Sequence, residues 1–451
     1  MSHEVTEPTD TLDLDSDNFR ARFFRLSSLN ILANLLVPLA GLIDIAFLGH
    51  LDEIRHLNGV ALAAVIFDLI YRLGLTLRMG TTGTTAQASG RQDEDDVALI
   101  LLRNLLLALA FSGIILLLQW PIRELGFTVL ASTAETETAG RAYFNVMVLG
   151  VPANMMMFVL LGWLLGLEQS GKVLLISIVS NGTNIFLDYW LIVRCHWGST
   201  GAGLATVGSQ YAAMVVALGF AARLLPWHSI KVLLPRIHNW PATVETLTLN
   251  RDILLKTLAI GLATSAFIST GSSLGTTIFA ANTLLFQAVI LFSHITRGFC
   301  YATESLTGVF YGEGRNDRLQ QLLQLAMVSC VAAGLLCAAI TIGFSESLFK
   351  LFTDKEPVLS LIHIYVFWLL PVMAFGSISN TLDGYFLGLA AGHILRDAMI
   401  LAACGFSFLA IAAWQWHSCH ILWLAWTCFM MFRALFLGLQ VSKAENLSEA
   451  C

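Results

Sequence analysis

Apolar residues run through this chain in long blocks, interrupted at intervals by short polar turns. Leu99–Trp120, broken chiefly by Arg103 and Asn104, is one such block, and Val173–Val193 and Met399–Ala413 are others. Blocks of this length match the hydrocarbon thickness of a bilayer, which takes about 20 residues of helix. Windows of that size predict twelve helices, at 26–48, 58–88, 97–120, 141–167, 171–194, 201–224, 252–279, 281–311, 319–345, 359–389, 393–415 and 418–440. The second, eighth and tenth exceed a minimal span and are expected to tilt or bend.

The same pattern occurs twice. A shift of 224 carries Asn58 to Asn282, Gly74 to Gly298, Gly90 to Gly314 and Arg91 to Arg315. A shift of 222 carries Tyr143 to Tyr365, Gly162 to Gly384, Gly166 to Gly388 and Leu167 to Leu389. Each repeat holds six spans, an even number, so both insert the same way up around a two-fold axis along the membrane normal. The expected fold is all-α and integral to the membrane, with twelve transmembrane helices in two pseudo-symmetric six-helix bundles. The divisions are a disordered acidic tail (1–19), an N-terminal lobe (20–224), a linker (225–251), a C-terminal lobe (252–442) and a short tail (443–451).

Composition agrees. Only 12% of the 451 residues are charged and 56% are hydrophobic, against roughly 25% charged in soluble domains. A net charge of −6 without basic tracts argues against a nucleic-acid partner. The eight cysteines form no metal-ligand spacing, and no hydrolase motif is present. No cofactor is expected, and the chain does not read as an enzyme. The segment from Gly166 to Val173 nearly spells a phosphate-binding loop, but it lacks the Ser/Thr for magnesium and lies between two membrane helices. Residues 1–19 are polar and acidic without a basic stretch leading into an apolar one, so no cleavable signal peptide is expected.

Basic residues set the expected orientation. With the N-terminus inside, fourteen loop-side Lys and Arg, among them Arg91, Lys172, Arg251, Lys256 and Arg315, are cytoplasmic. Arg55, Arg123, Arg141, Arg194, Lys350 and Lys355 are outside. Both termini are therefore expected in the cytoplasm, and the acidic tail without organellar targeting fits a bacterial inner membrane.

Ionisable groups inside the bilayer are costly and mark function by default. Asp44 near the outer end of the first helix, and Asn184 and Asp188 on one face of the fifth, gather with Thr206 and Tyr143 in the outer part of the first lobe. Their oxygens suit Na⁺, for which Asp44, Asn184, Asp188 and Thr206 would be the ligands; alternatively, the two carboxylates share a proton. The repeat omits these acids: Asp44 maps to Ile268, Asn184 to Gly405 and Asp188 to Leu409. Ion coupling is therefore expected in the first lobe alone. Asp68 and Arg72 are spaced to pair, and Arg78 faces a cavity or snorkels. Glu304 and Asp383 hold an inner gate with Arg297, bind a cationic substrate, or pair structurally.

The stretches Gly-Leu-Ile-Asp44-Ile-Ala-Phe-Leu-Gly, Leu-Arg78-Met-Gly-Thr-Thr-Gly, Gly-Trp-Leu-Leu-Gly-Leu (162–167), Asn184-Ile-Phe-Leu-Asp188 and Leu-Asp383-Gly-Tyr-Phe-Leu-Gly resemble the multidrug and toxic compound extrusion (MATE) transporters. Their DinF branch is the nearest likeness, over about residues 20–442. The resemblance implies an antiporter that exports small organic compounds, cationic or amphipathic, against H⁺ or Na⁺; with two lobes in one chain, it is expected to work as a monomer. Asp44, Asn184, Asp188 and Thr206, with Tyr143 adjoining, match the family's coupling positions. Glu304 fits the branch pattern, whereas Arg297 stands where an acid is expected. The alternative is a lipid-linked precursor flippase of the wider superfamily, whose cavity would cluster Arg72, Arg78 and Arg297.

Overall fold

The computed structural model describes residues 10–49, 53–130, 133–225, 233, 235–237 and 239–449, which are helical with short turns. The first half comprises α1 (Asp10–Gly49), α2 (Ile54–Gly90), α3 (Glu94–Leu117), α4 (Gln119–Val129), α5 (Ala134–Met147), α6 (Val151–Gly166), α7 (Ser170–Asp188) and α8 (Gly198–Leu224). The second comprises α9 (Trp240–Ser273), α10 (Thr276–Gly312), α11 (Asn316–Gly343), α12 (Ser345–Lys350), α13 (Glu356–Tyr365), α14 (Leu369–Gly388), α15 (Gly392–Gln415) and α16 (Cys419–Glu449). Single 3₁₀ turns at Val148–Gly150 and Val366–Trp368 join α5 to α6 and α13 to α14. Each joined pair makes one span. Pro152 and Pro371 follow the two turns, where a missing N–H costs little.

Among the described residues, eleven helices or joined pairs are long and apolar enough to cross a membrane. The twelfth expected span is α7, continued by a π-helical turn at Tyr189–Arg194. Asn181, Thr183, Asn184 and Asp188 make α7 the polar exception. Large apolar side chains such as Leu42, Leu69, Leu117, Val328 and Phe408 are exposed, a hydrocarbon-facing surface that no soluble protein leaves bare.

Several boundaries differ from the windows, and three of them bear on the fold. The turn between α9 and α10 falls at Leu274–Gly275, several residues before the expected gap, because apolar residues on both sides hide it from hydropathy. Gly275 has φ +121° there, a conformation that L side chains avoid. α9 starts at Trp240, inside the 225–251 connection, with the Asn239 side chain accepting from the Ala242 N–H. α1 starts at Asp10, so only residues 1–9 of the expected tail lie outside the description.

Phe19, Phe23 and Leu26 of α1 share an apolar cluster with Leu437 and Val441 of α16. The start of α1 and the last turns of α16 therefore lie on one face of the molecule, the terminal face, and α2 and α10 also end there. The helix crossings repeat with one register. A Cβ on Gly162 would meet the Arg78 carbonyl, and one on Gly384 the Cys300 carbonyl, each at 2.5 Å. Gly166 lies on Thr82 and Thr85 as Gly388 lies on Glu304 and Thr307. Every pair is 222 residues apart, which replaces the shift of 224 expected for the second and eighth helices. Left-handed turn residues obey nearly the same shift: Gln92 with Gly314, Glu168 with Ala390, and His196 with His417.

The two bundles meet along α2 and α10 at the terminal face. The Cβ position of Gly90 lies 2.1 Å from the Val309 carbonyl, and that of Gly312 lies 2.2 Å from the Gln87 carbonyl. Two hydrogen bonds cross the same seam: Gln87 Nε2 donates to Gly388 O at 2.8 Å, and Ser305 Oγ to Leu165 O at 2.6 Å. Small residues let helices approach this closely in a membrane.

Candidate functional site

The end of α7 carries the first cluster. Helical spacing puts Asn184 and Asp188 on one face, and both are buried. Asp188 is the last α-helical residue before the π turn Tyr189–Arg194, a local widening common at functional sites. It faces Asp44 of α1 closely enough for one carboxyl to hydrogen-bond the other. Asp44 Oδ1, Asp188 Oδ2 and Asn184 Nδ2 have no hydrogen-bond partner. The Tyr143 hydroxyl lies beside the Thr206 side chain and within electrostatic reach of both acids. Thr206 Oγ1 itself donates to Ala202 O at 3.0 Å.

Two members of this cluster escaped sequence reasoning. Gln210 Nε2 donates to the Tyr71 hydroxyl at 2.9 Å, and Tyr71 borders Tyr143. Gln210 Oε1 is buried without a partner. Gln210 is one helical turn beyond Thr206 on α8, so the i, i+4 spacing that grouped Asn184 with Asp188 points to it as well.

α1 brings Asp44 to this site past Pro38. A proline within a helix cannot donate to the carbonyl four residues earlier, here that of Asn34. His294 of α10 lies beside the Asn34 backbone, so the second half packs against the weak point of the helix that carries Asp44.

The second cluster lies in the terminal half of the C-terminal bundle. Asp383 Oδ2 accepts from Lys256 Nζ and Arg433 Nη2, both at 2.8 Å, and all three side chains are buried. Glu304 faces Arg78 of the other bundle at 3.7 Å, and the Arg78 guanidinium lies 4.0 Å over the Tyr301 ring. Arg297 is exposed and supplies neither ion pair, contrary to the gate expected of it. Lys256, counted among the cytoplasmic basic residues at the start of the 252–279 window, is a buried ion-pair partner, because α9 begins at Trp240 and carries it well inside the helix. Asp68 pairs with Arg72 at 2.7 Å on the exposed side of α2. Arg72, Arg78 and Arg297 thus have different neighbours and no common partner.

The two clusters differ in charge balance. Asp383 is neutralised by two cations of the chain itself. Asp44 and Asp188 form an ion pair with no Lys, Arg or His among the described residues. Two adjacent carboxylates in a low-dielectric site require a proton or a cation between them. Carboxylate, amide and hydroxyl oxygens form a donor set for a hard monovalent cation or a proton.

Comparison with known proteins gives the same picture. The MatE family model matches residues 30–190 and 253–414, one match per bundle. The chain is 33% identical to DNA damage-inducible protein F of Escherichia coli (strain K12), over 90% of this chain and 89% of that protein. It is 22% identical to a probable multidrug resistance protein NorM of Thermotoga maritima, over 81% of this chain and 79% of the relative. A solved structure described as the outward-facing conformation of a multidrug resistance MATE family transporter superposes with a TM-score of 0.84 at 18% identity, covering 95% of this chain and 97% of that one. Fold, repeat and relatives agree, and the chain belongs to the MatE (MATE) family of multi-pass membrane transporters.

Proposed function

We propose that the protein exports organic cations or amphipathic compounds in exchange for H⁺ or Na⁺, with Asp44 and Asp188 as the coupling pair. The supporting observation is the contrast between that pair, which has no internal counter-cation, and Asp383, which has two. A bound proton or Na⁺ completes the first site. At Asp383 an incoming cation would have to displace Lys256 or Arg433.

The seam along α2 and α10 closes the terminal face, which is the cytoplasmic face under the positive-inside rule even with Lys256 removed from the count. In this state the coupling site takes its cation from the outer side. Cation binding neutralises the Asp44–Asp188 pair and favours the α1 arrangement that brings the two acids together. A ligand shifts two states only by its differential affinity for them, so the acids separate or change surroundings when the terminal face opens. The protein works as a monomer in a bacterial inner membrane.

The test is efflux of a fluorescent organic cation from proteoliposomes under separately imposed pH and Na⁺ gradients. Efflux should follow one gradient and be lost in Asp44→Asn and in Asp188→Asn. Full gradient-driven efflux by both variants would remove the site from the mechanism. Gradient-independent movement of a lipid-linked substrate would favour the flippase alternative.

A further inference from the structure

At the depth where the N-terminal bundle carries its acids, the C-terminal bundle carries an aromatic pocket. Asp44 lies five residues before the end of α1, and the pocket lies in the last two turns of α9 and the first turns of α10. It has a volume of about 130 Å³ and is lined by Phe267, Ile268, Gly271, Phe279, Asn282 and Phe286, among others. This is close to the size of the apolar cavity, about 150 Å³, that holds a benzene ring. The Phe267 and Phe286 rings stack with centroids 4.9 Å apart, and Trp426 backs both, at 5.4 and 5.2 Å.

One polar group is committed to this space. Asn282 is 3% exposed. Its Oδ1 accepts from Trp423 Nε1 at 2.9 Å and from Cys419 Sγ at 3.2 Å. These bonds fix the amide orientation and leave Nδ2 buried without an acceptor. Nδ2 lies 3.6 Å from where a Cβ on Gly271 would stand, so the missing side chain of that glycine opens the space beside the donor. An unsatisfied buried donor costs about as much as a lost hydrogen bond, and a ligand acceptor would remove the cost.

The rim shows which medium the pocket meets. Thr283 and Gln287 are exposed one turn apart on α10, and Ser265, Ser269 and Ser272 are exposed on the neighbouring part of α9. Lipid-facing helix surfaces are apolar, so this polar strip faces the aqueous space between the bundles. α9 touches the other bundle nearer the terminal face, where Gly261 lies against Arg72.

We propose that this pocket is a binding subsite for one aromatic ring bearing a hydrogen-bond acceptor, with Asn282 Nδ2 as the donor and the Phe267–Phe286–Trp426 cluster as the ring's platform. The inference rests on the transport reading and names the substrate chemistry: amphipathic compounds with an aromatic carbonyl or ring acceptor. The acidic wall of the first bundle and this apolar wall of the second would then recognise different parts of one substrate.

Benzophenone, an aromatic ketone that inserts into nearby C–H bonds under ultraviolet light, supplies the probe. The full-length protein in nanodiscs is irradiated with it, and the labelled residues are located by peptide mass spectrometry. Labelling should concentrate within 267–290. It should fall about tenfold in Asn282→Leu, which is close to Asn in size and carries no donor, and in Gly271→Leu, which fills the space. Labelling spread evenly over lipid-facing helices, or retained in both variants, would overturn the proposal. The measurement needs no gradient, so its outcome is independent of whether efflux proves to be ion-coupled.

Discussion

Alanine at Gly312 gives the sharpest test of the seam between the bundles. A Cβ there would stand 2.2 Å from the Gln87 carbonyl oxygen and 3.1 Å from the Arg91 nitrogen. Carbon–oxygen contacts begin at about 3.3 Å, so the two helix backbones must separate by about 1 Å. No rotamer can absorb this, because the opposing atoms are main chain. Overpacking of this kind costs about 1–3 kcal/mol. Replacing a helical glycine also stabilises the helix by about 0.5–1 kcal/mol, but equally in both states, so that gain cancels in the conformational equilibrium. Gly312→Ala should therefore shift the balance toward an open terminal face by about 5–150-fold. Cys300, buried beside Arg78 and Glu304, reports opening through its rate of alkylation by a membrane-impermeant maleimide applied from the terminal side. Gly90→Ala meets the Val309 carbonyl across the same pseudo-two-fold, at 2.1 Å. One separation relieves both clashes, so the double variant should fall well short of the product of the single effects. An unchanged Cys300 rate in both single variants, or fully multiplicative effects in the double, would refute the shared seam.

Two further outcomes follow from the ion pairs. Asp383→Asn strands Lys256 and Arg433 as buried cations, whereas Lys256→Met leaves Asp383 with Arg433; breaking a buried pair costs about 3–5 kcal/mol. Asp383→Asn should lower the melting temperature in nanodiscs more than Lys256→Met does, and the reverse order would refute the assignment. Outside the membrane, hydrogen bonds from Arg141 pull Glu124 of α4 down to about 2, with Arg141 Nη1 and Nη2 donating at 2.6 and 2.7 Å. The contribution of a lowered carboxylate is complete above its unfolded value and is lost as pH falls through the folded one. Hydrogen-exchange protection in 119–130, corrected for the intrinsic pH dependence of amide exchange, should therefore be the same at pH 7 and pH 5 and should fall in Arg141→Gln at pH 7; a loss of protection in the wild type by pH 5 would contradict the pairing.

The sequence by itself determined the membrane class, the twelve spans and the repeat, because hydrocarbon burial is read from composition and window length alone. It also grouped Asp44, Asn184, Asp188, Thr206 and Tyr143, since helical periodicity fixes the face and span length fixes the depth. Gln210 was legible by the same rule. Partner choice was not. Lys256 counts as a basic residue at the cytoplasmic end of its span because hydropathy starts that span at 252, whereas α9 begins three turns earlier, at Trp240. Arg433, Lys256 and Asp383 lie far apart along the chain, and no periodicity relates α9, α14 and α16. The uniform shift of 222 emerged only from which glycine rests on which carbonyl, contacts that depend on two backbones crossing. Tertiary structure alone decided that Asp383 is already neutralised while Asp44 and Asp188 are not. Local sequence cannot carry that distinction, because the charge balance of a buried site is set by whatever side chains other helices deliver to it.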